Sequence, residues 1–139
     1  MSGLTFALGN TTLAAGRAST IAFAVTNASS GAAVDDLEPY LGAAGHLLIV
    51  SDDLEYAIHA HPSGATTTPG ALRFDATLPR AGVYKMWLQV QRGGEVITVA
   101  FVVRATSTST RQSRVDDAVV SNCAPAEIGS GSRNLNDGW

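Results

Sequence analysis

The chain of 139 residues predicts an all-β fold, a two-sheet antiparallel β-sandwich of about seven or eight short strands followed by an extended C-terminal tail. Three observations lead there. Apolar and polar residues alternate with period two in segment after segment, as half-buried strands require. Turn formers punctuate these segments at intervals of roughly 8–15 residues, and no stretch carries a convincing helical period. Val, Thr and Gly are plentiful while only 15% of residues are charged, which suits strands and tight turns better than exposed helices.

Taken in order, Leu4, Phe6 and Leu8 alternate with Thr5 and Ala7, a first strand that stops at Gly9-Asn10. Ala14-Ala15-Gly16 makes the next connection. Thr20–Asn27 sets Ile21, Phe23 and Val25 on one face and Ala22, Ala24 and Thr26 on the other. Val34–Tyr40 is acidic and carries Pro39, so it reads as an edge or connecting segment. Gly45–Ser51 is nearly all apolar, the pattern of a strand buried on both faces. Asp52-Asp53 turns the chain into a partner strand, Tyr56–His61, which Pro62 ends. After a loop over Pro62–Gly70, Ala71–Leu78 alternates again.

Val83–Gln91 places Tyr84, Met86, Leu88 and Val90 on one face. Arg92-Gly93-Gly94-Glu95 is a hairpin signal, because a two-residue turn of the primed type needs two left-handed residues. Val96–Val103 returns with Ile97, Val99, Phe101 and Val103 towards the core. The segment Pro79–Tyr84 (PRAGVY) resembles the corner of immunoglobulin-like folds, where a tyrosine just inside a strand bonds back to upstream backbone. Tyr84 would be that tyrosine; the alternative is an ordinary tyrosine at the edge of the core.

The chain therefore divides into a sandwich domain over residues 1–104 and a mostly irregular tail over 105–139. The tail is rich in Ser, Thr, Gly and Asn, and has too little apolar surface to offset its own ordering entropy. A tail of this kind takes on order against another surface. Its scattered apolar residues, Val115, Val119, Val120, Ile128, Leu135 and Trp139, are the expected contacts with other protein subunits. A net charge of −3 leaves no basic footprint, so nucleic acid is not an expected partner. No apolar run approaches the ~20 residues of a membrane span, so a membrane-surface location would come through partners. The start of the chain lacks the pattern of an export signal. The single cysteine, Cys123, excludes an internal disulfide framework and reads as an idle thiol.

All three histidines, His46, His59 and His61, fall within the hairpin segment. His59 and His61, two apart on a strand, leave the same face ~7 Å apart. Counting back across Asp52-Asp53 sets His46 level with residues 58–60, so three imidazoles converge. Imidazole suits copper, zinc, iron or nickel; Met86 could add a thioether for Cu(I), and Asp36 or Glu38 an oxygen. The bland alternative is a backbone-bonded core His46 with two solvent-facing histidines. Catalytic patterns are not assembled: Ser51, Asp52 and His59 are a hydrolase's residue types, but no Gly-x-Ser-x-Gly elbow frames the serine.

With those residues in view, Leu37–His46 (LEPYLGAAGH), His59–Pro62 (HAHP) and Pro79–Trp87 (PRAGVYKMW) resemble a group of bacterial envelope domains, immunoglobulin-like or cupredoxin-like sandwiches related to YtkA-like and copper-resistance proteins. The match spans about residues 4–104 and omits the tail. It implies an extracytoplasmic, non-enzymatic domain, sometimes associated with copper, with His46, His59 and His61 as candidate ligands; a start without an export signal leaves the cytoplasm as the alternative compartment. Two functions follow as expectations. The first is a non-catalytic accessory subunit that docks through its sandwich and tail on a larger assembly, which can be membrane-associated. The alternative is a copper-binding envelope domain for storage, delivery or resistance.

Overall fold

In a computed structural model of the chain, residues 3–64 and 67–108 are described, and the structural statements below concern them. They form a sandwich of two sheets. Strands β1 (Leu4–Leu8), β3 (Ala18–Asn27) and β6 (Ala71–Thr77) make one sheet in the order β1-β3-β6. Strands β2 (Thr12–Ala14), β4 (His46–Ser51), β5 (Ala57–Ala60), β7 (Gly82–Arg92) and β8 (Glu95–Thr106) make the other, in the order β2-β8-β7-β4-β5. All pairings are antiparallel except β2 with β8.

The alternation read from the sequence decides which residues meet between the sheets. From the smaller sheet, Ile21, Phe23, Val25, Leu72 and Phe74 point inward, each at most 2% exposed. Leu47 and Ile49 of β4 face them, together with Tyr84, Met86, Leu88 and Val90 of β7, none more than 1% exposed. Phe23 and Phe74 meet edge to face at 5.8 Å, an arrangement the ring quadrupoles favour. Val34, from the segment before β4, also closes into this core. Here the chain needs glycine at position 70: φ is +68°, and a Cβ would stand 2.3 Å from the Val25 carbonyl oxygen.

Tyr84 makes the expected corner. It is 1% exposed, and its hydroxyl donates to the Arg80 carbonyl at 2.9 Å, four residues upstream. The same Arg80 reaches the β4–β5 hairpin, pairing with Asp53 and, at 2.9 Å, with Glu55, while its guanidinium lies over the Tyr56 ring. The corner thus ties the β6–β7 turn to the hairpin that carries two histidines. Tyr84→Phe is expected to destabilise the protein by about 1–2 kcal/mol, the usual cost of removing one buried hydrogen bond. Chemical denaturation measures it, and an unchanged midpoint would show that the corner contributes nothing.

Several strand expectations need correction. Thr12–Ala14, of which Ala14 is expected in a connection and Thr12 and Leu13 in no strand, is a short strand parallel to the end of β8. Three residues carry too little pattern to show a pairing made with residues 104–106. Strand β8 continues past Val103 to Thr106, and Ala105 is buried against this pairing. Strand β4 is not buried on both faces: Leu47 and Ile49 are in the core, whereas Leu48 is 42% exposed on the outer face of the sheet. An apolar run cannot by itself tell a doubly covered strand from one with an apolar outer face.

Candidate metal centre

The outer face of the five-stranded sheet is where the histidines gather. In β4, Leu47 pairs with Ala60 and Leu48 with His59, so one further step sets His46 level with His61. The expected level was residues 58–60; the turn is longer than Asp52-Asp53, since the Ser51 amide bonds to the Tyr56 carbonyl and Leu54 takes a left-handed φ of 63°. The shift preserves parity, so all three side chains leave the same face. Their ligand atoms lie within 4.8 Å of one another.

His46 is the buried member. It is 7% exposed, with its ring enclosed by Tyr40 at 5.5 Å, His59 at 5.3 Å and His61 at 4.9 Å between centroids. Its Nε2 lies 2.7 Å from the Tyr40 carbonyl oxygen and its Nδ1 3.2 Å from Nε2 of His59. A carbonyl can only accept, so Nε2 of His46 carries the proton and Nδ1 presents its lone pair. In the neutral cluster His59 Nε2–H then donates to that lone pair. His59 and His61 are exposed, their rings 4.8 Å apart.

This arrangement fits one ion. With metal–nitrogen bonds of about 2.0–2.1 Å, two nitrogens 3.2 Å apart subtend an angle of roughly 100° at a shared metal. The His46 Nε2–H bond to a backbone carbonyl is the outer contact that metal-ligating histidines ordinarily make, fixing tautomer and ring direction. The carbonyl comes from the turn Tyr40-Leu41-Gly42-Ala43, in which Leu41 and Gly42 have φ of 48° and 82°, and Tyr40 and Ala43 exchange bonds of 2.8 and 3.1 Å. Gly45 brings the chain to β4 close under Gln89, whose backbone carbonyl oxygen would be 3.1 Å from a Cβ there.

The other expected ligands lie elsewhere. Met86 is fully buried on the core face, pairing with Ile49 and Phe101, and so belongs to the opposite side of the sheet from the histidines. Strand parity excludes it. Asp36 pairs with Arg92 at 2.8 Å, and Glu38 accepts from the Gly94 amide at 2.9 Å and Gln91 Nε2 at 3.0 Å. Those two bonds, Gly94 first, hold the Glu38 carboxyl below the usual carboxylate range. Ser51 and Asp53 bond to each other within the turn and away from the imidazoles. Val115, Val119, Val120, Ile128, Leu135, Trp139 and Cys123 lie outside the described residues.

Beside the cluster runs a groove of about 590 Å³ between His46 and His59 and the apolar side chains of Leu48, Leu54 and Trp87. In register across the sheet, His59, Leu48, Trp87 and Ala100 form one row. The expectations from sequence did not include this outer face, although Leu48 and Trp87 share strand parity with His46 and Gln89.

Comparison with known proteins bears on the fold and the family. No curated protein matches the chain at a significant level. Among solved structures, the chain is similar to the crystal structure of CopC from Methylosinus trichosporium OB3b, with 15% identity and a TM-score of 0.50 over 71% of this chain and 85% of that one. At that identity the likeness shows the fold, a β-sandwich. The profile described as "Domain of unknown function (DUF8832)" matches residues 1–107, taking in every strand of both sheets and all three histidines. The chain belongs to that family, DUF8832.

Proposed function

We propose that the sandwich is a copper-binding domain, holding one ion with His46, His59 and His61. The observation that carries this reading is the gathering of three imidazoles, ligand atoms within 4.8 Å, around a His46 already oriented by a carbonyl. Neutral imidazole favours late first-row metals, and at an all-nitrogen site Cu(II) stands above zinc and nickel in intrinsic affinity. The resemblance of LEPYLGAAGH and HAHP to copper-resistance-related envelope domains agrees with that choice. His46 would offer Nδ1, and His59 and His61 one ring nitrogen each. A bound ion would supply a storage or transfer site. The role is binding rather than catalysis, and by the same resemblance the domain works outside the cytoplasm. The accessory-subunit role rests on tail residues outside the described ones, so the histidine cluster carries the reading instead.

The test is titration of the full chain with Cu(II) and, separately, Zn(II), followed by calorimetry and electron paramagnetic resonance. One Cu(II) per chain is expected, with nitrogen hyperfine structure and tighter binding than zinc. His59→Ala and His61→Ala each remove a ligand and should weaken it by more than the roughly tenfold that loss of an outer contact costs. Binding no stronger in the parent than in the doubly substituted chain would overturn the proposal.

A further inference from the structure

We infer that Glu38 is a positioning residue for the cluster: its carboxylate, clasped by the β7–β8 turn, sets the Tyr40 carbonyl where it locks His46 with Nδ1 towards His59. The inference rests on the reading of the cluster as a metal site and names what keeps it in order.

The connection is short and continuous. Both bonds from the hairpin, Gly94 N and Gln91 Nε2, converge on the single oxygen Oε2 of Glu38. The Glu38 amide in turn donates to the Gln91 carbonyl at 2.8 Å, an isolated bridge that adds this one residue to the sheet. Two residues on, the Tyr40 carbonyl accepts from the Ala43 amide at 3.1 Å and from His46 Nε2 at 2.7 Å. Between these points lies Pro39, whose ring fixes φ and leaves little slack. The turn that follows holds Leu41, 78% exposed, in the left-handed region, a conformation that neighbouring contacts must maintain. Glu38 is the contact nearest that turn joining it to a rigid hairpin. Asp36 ties the same segment to Arg92, but two residues further back.

Because both donors meet one oxygen, glutamine can replace glutamate and keep both bonds; alanine cannot. The experiment compares Glu38→Ala, Glu38→Gln and Asp36→Ala. In the metal-free chain, long-range proton–nitrogen correlations read the His46 tautomer; Cu(II) affinity is then measured on each. In the parent and in Glu38→Gln, His46 is expected as the single Nε2–H tautomer. Glu38→Ala should show exchange between tautomers and bind Cu(II) roughly tenfold more weakly, a loss typical of an outer contact. Asp36→Ala should resemble the parent. An unchanged His46 tautomer in Glu38→Ala would overturn the inference, as would an equal change in Asp36→Ala, which would mean general loosening. Absence of copper binding in the parent would remove the metal reading alone, since the tautomer of the metal-free protein still decides the role of Glu38.

Discussion

His46→Ala is expected to abolish specific copper binding, lowering affinity by more than the roughly 100-fold upper range of an outer-contact change. Two physical reasons make it the most damaging single substitution at the cluster. It removes one of three nitrogens. It removes the ligand whose orientation is set in advance, because the Tyr40 carbonyl already fixes the ring while His59 and His61 are exposed and must order on binding. Stability should change much less, since His46 lies on the outer face and the core residues Leu47 and Ile49 remain in place. Titration with Cu(II), with quenching of Trp87 fluorescence as the local readout, measures the loss. Trp87 lies in a row with His59, two strands away, about 10 Å by strand spacing. A Trp139→Phe background removes the second indole. A His46→Ala chain that still binds Cu(II) within tenfold of the parent would place the metal on His59 and His61 alone.

Much of this site is legible in the residues themselves because strand parity is a local property. The alternation in Thr20–Asn27 and Val83–Gln91 assigns Ile21, Phe23, Val25, Tyr84, Leu88 and Val90 to the core, and all of them are there. The same parity keeps His59 and His61 on one face whatever the register. Parity also argues against Met86 as a ligand, since it travels with Tyr84 and Leu88. What is not legible depends on non-local pairing or on backbone atoms. The three-residue strand Thr12–Ala14 exists only by its partner Arg104–Thr106. The exposure of Leu48 depends on what covers the outer face, which an apolar run does not state. The oxygen that orients His46 is a carbonyl, and a carbonyl has no residue type to find. Glu38 and Asp36 stand out for their charge, but their partners Gly94, Gln91 and Arg92 lie more than fifty positions away in a turn recognisable by its glycines alone.

Phe74→Ala is expected to weaken the fold and the metal site together. Phe74 is fully buried, and its truncation should cost about 3–5 kcal/mol through lost apolar burial and the cavity left behind. For a domain of this size that corresponds to a fall in Tm on the order of 15–25 °C. The link to the site is geometric. The tip of the Phe74 ring, Cζ, lies 3.6 Å from where a Gly45 Cβ would be, directly beneath the residue that precedes His46. Its backbone forms an isolated bridge to Pro62, the residue that follows His61. One side chain therefore supports the chain as it enters β4 and, through its own strand, as it leaves β5. Removing the ring should let both ends move, lowering Cu(II) affinity by roughly tenfold even at a temperature where the variant is still folded. Phe74→Leu keeps most of the volume and should cost under about 1.5 kcal/mol while leaving affinity near the parent's. Thermal unfolding and copper titration below the transition are the paired measurements. A large fall in Tm with unchanged affinity would separate the two effects and show that the hydrogen bonds of Glu38 and Tyr40 hold His46 without help from the core. If both fall together, the cluster takes its geometry from the sandwich beneath it, the exposed imidazoles His59 and His61 included.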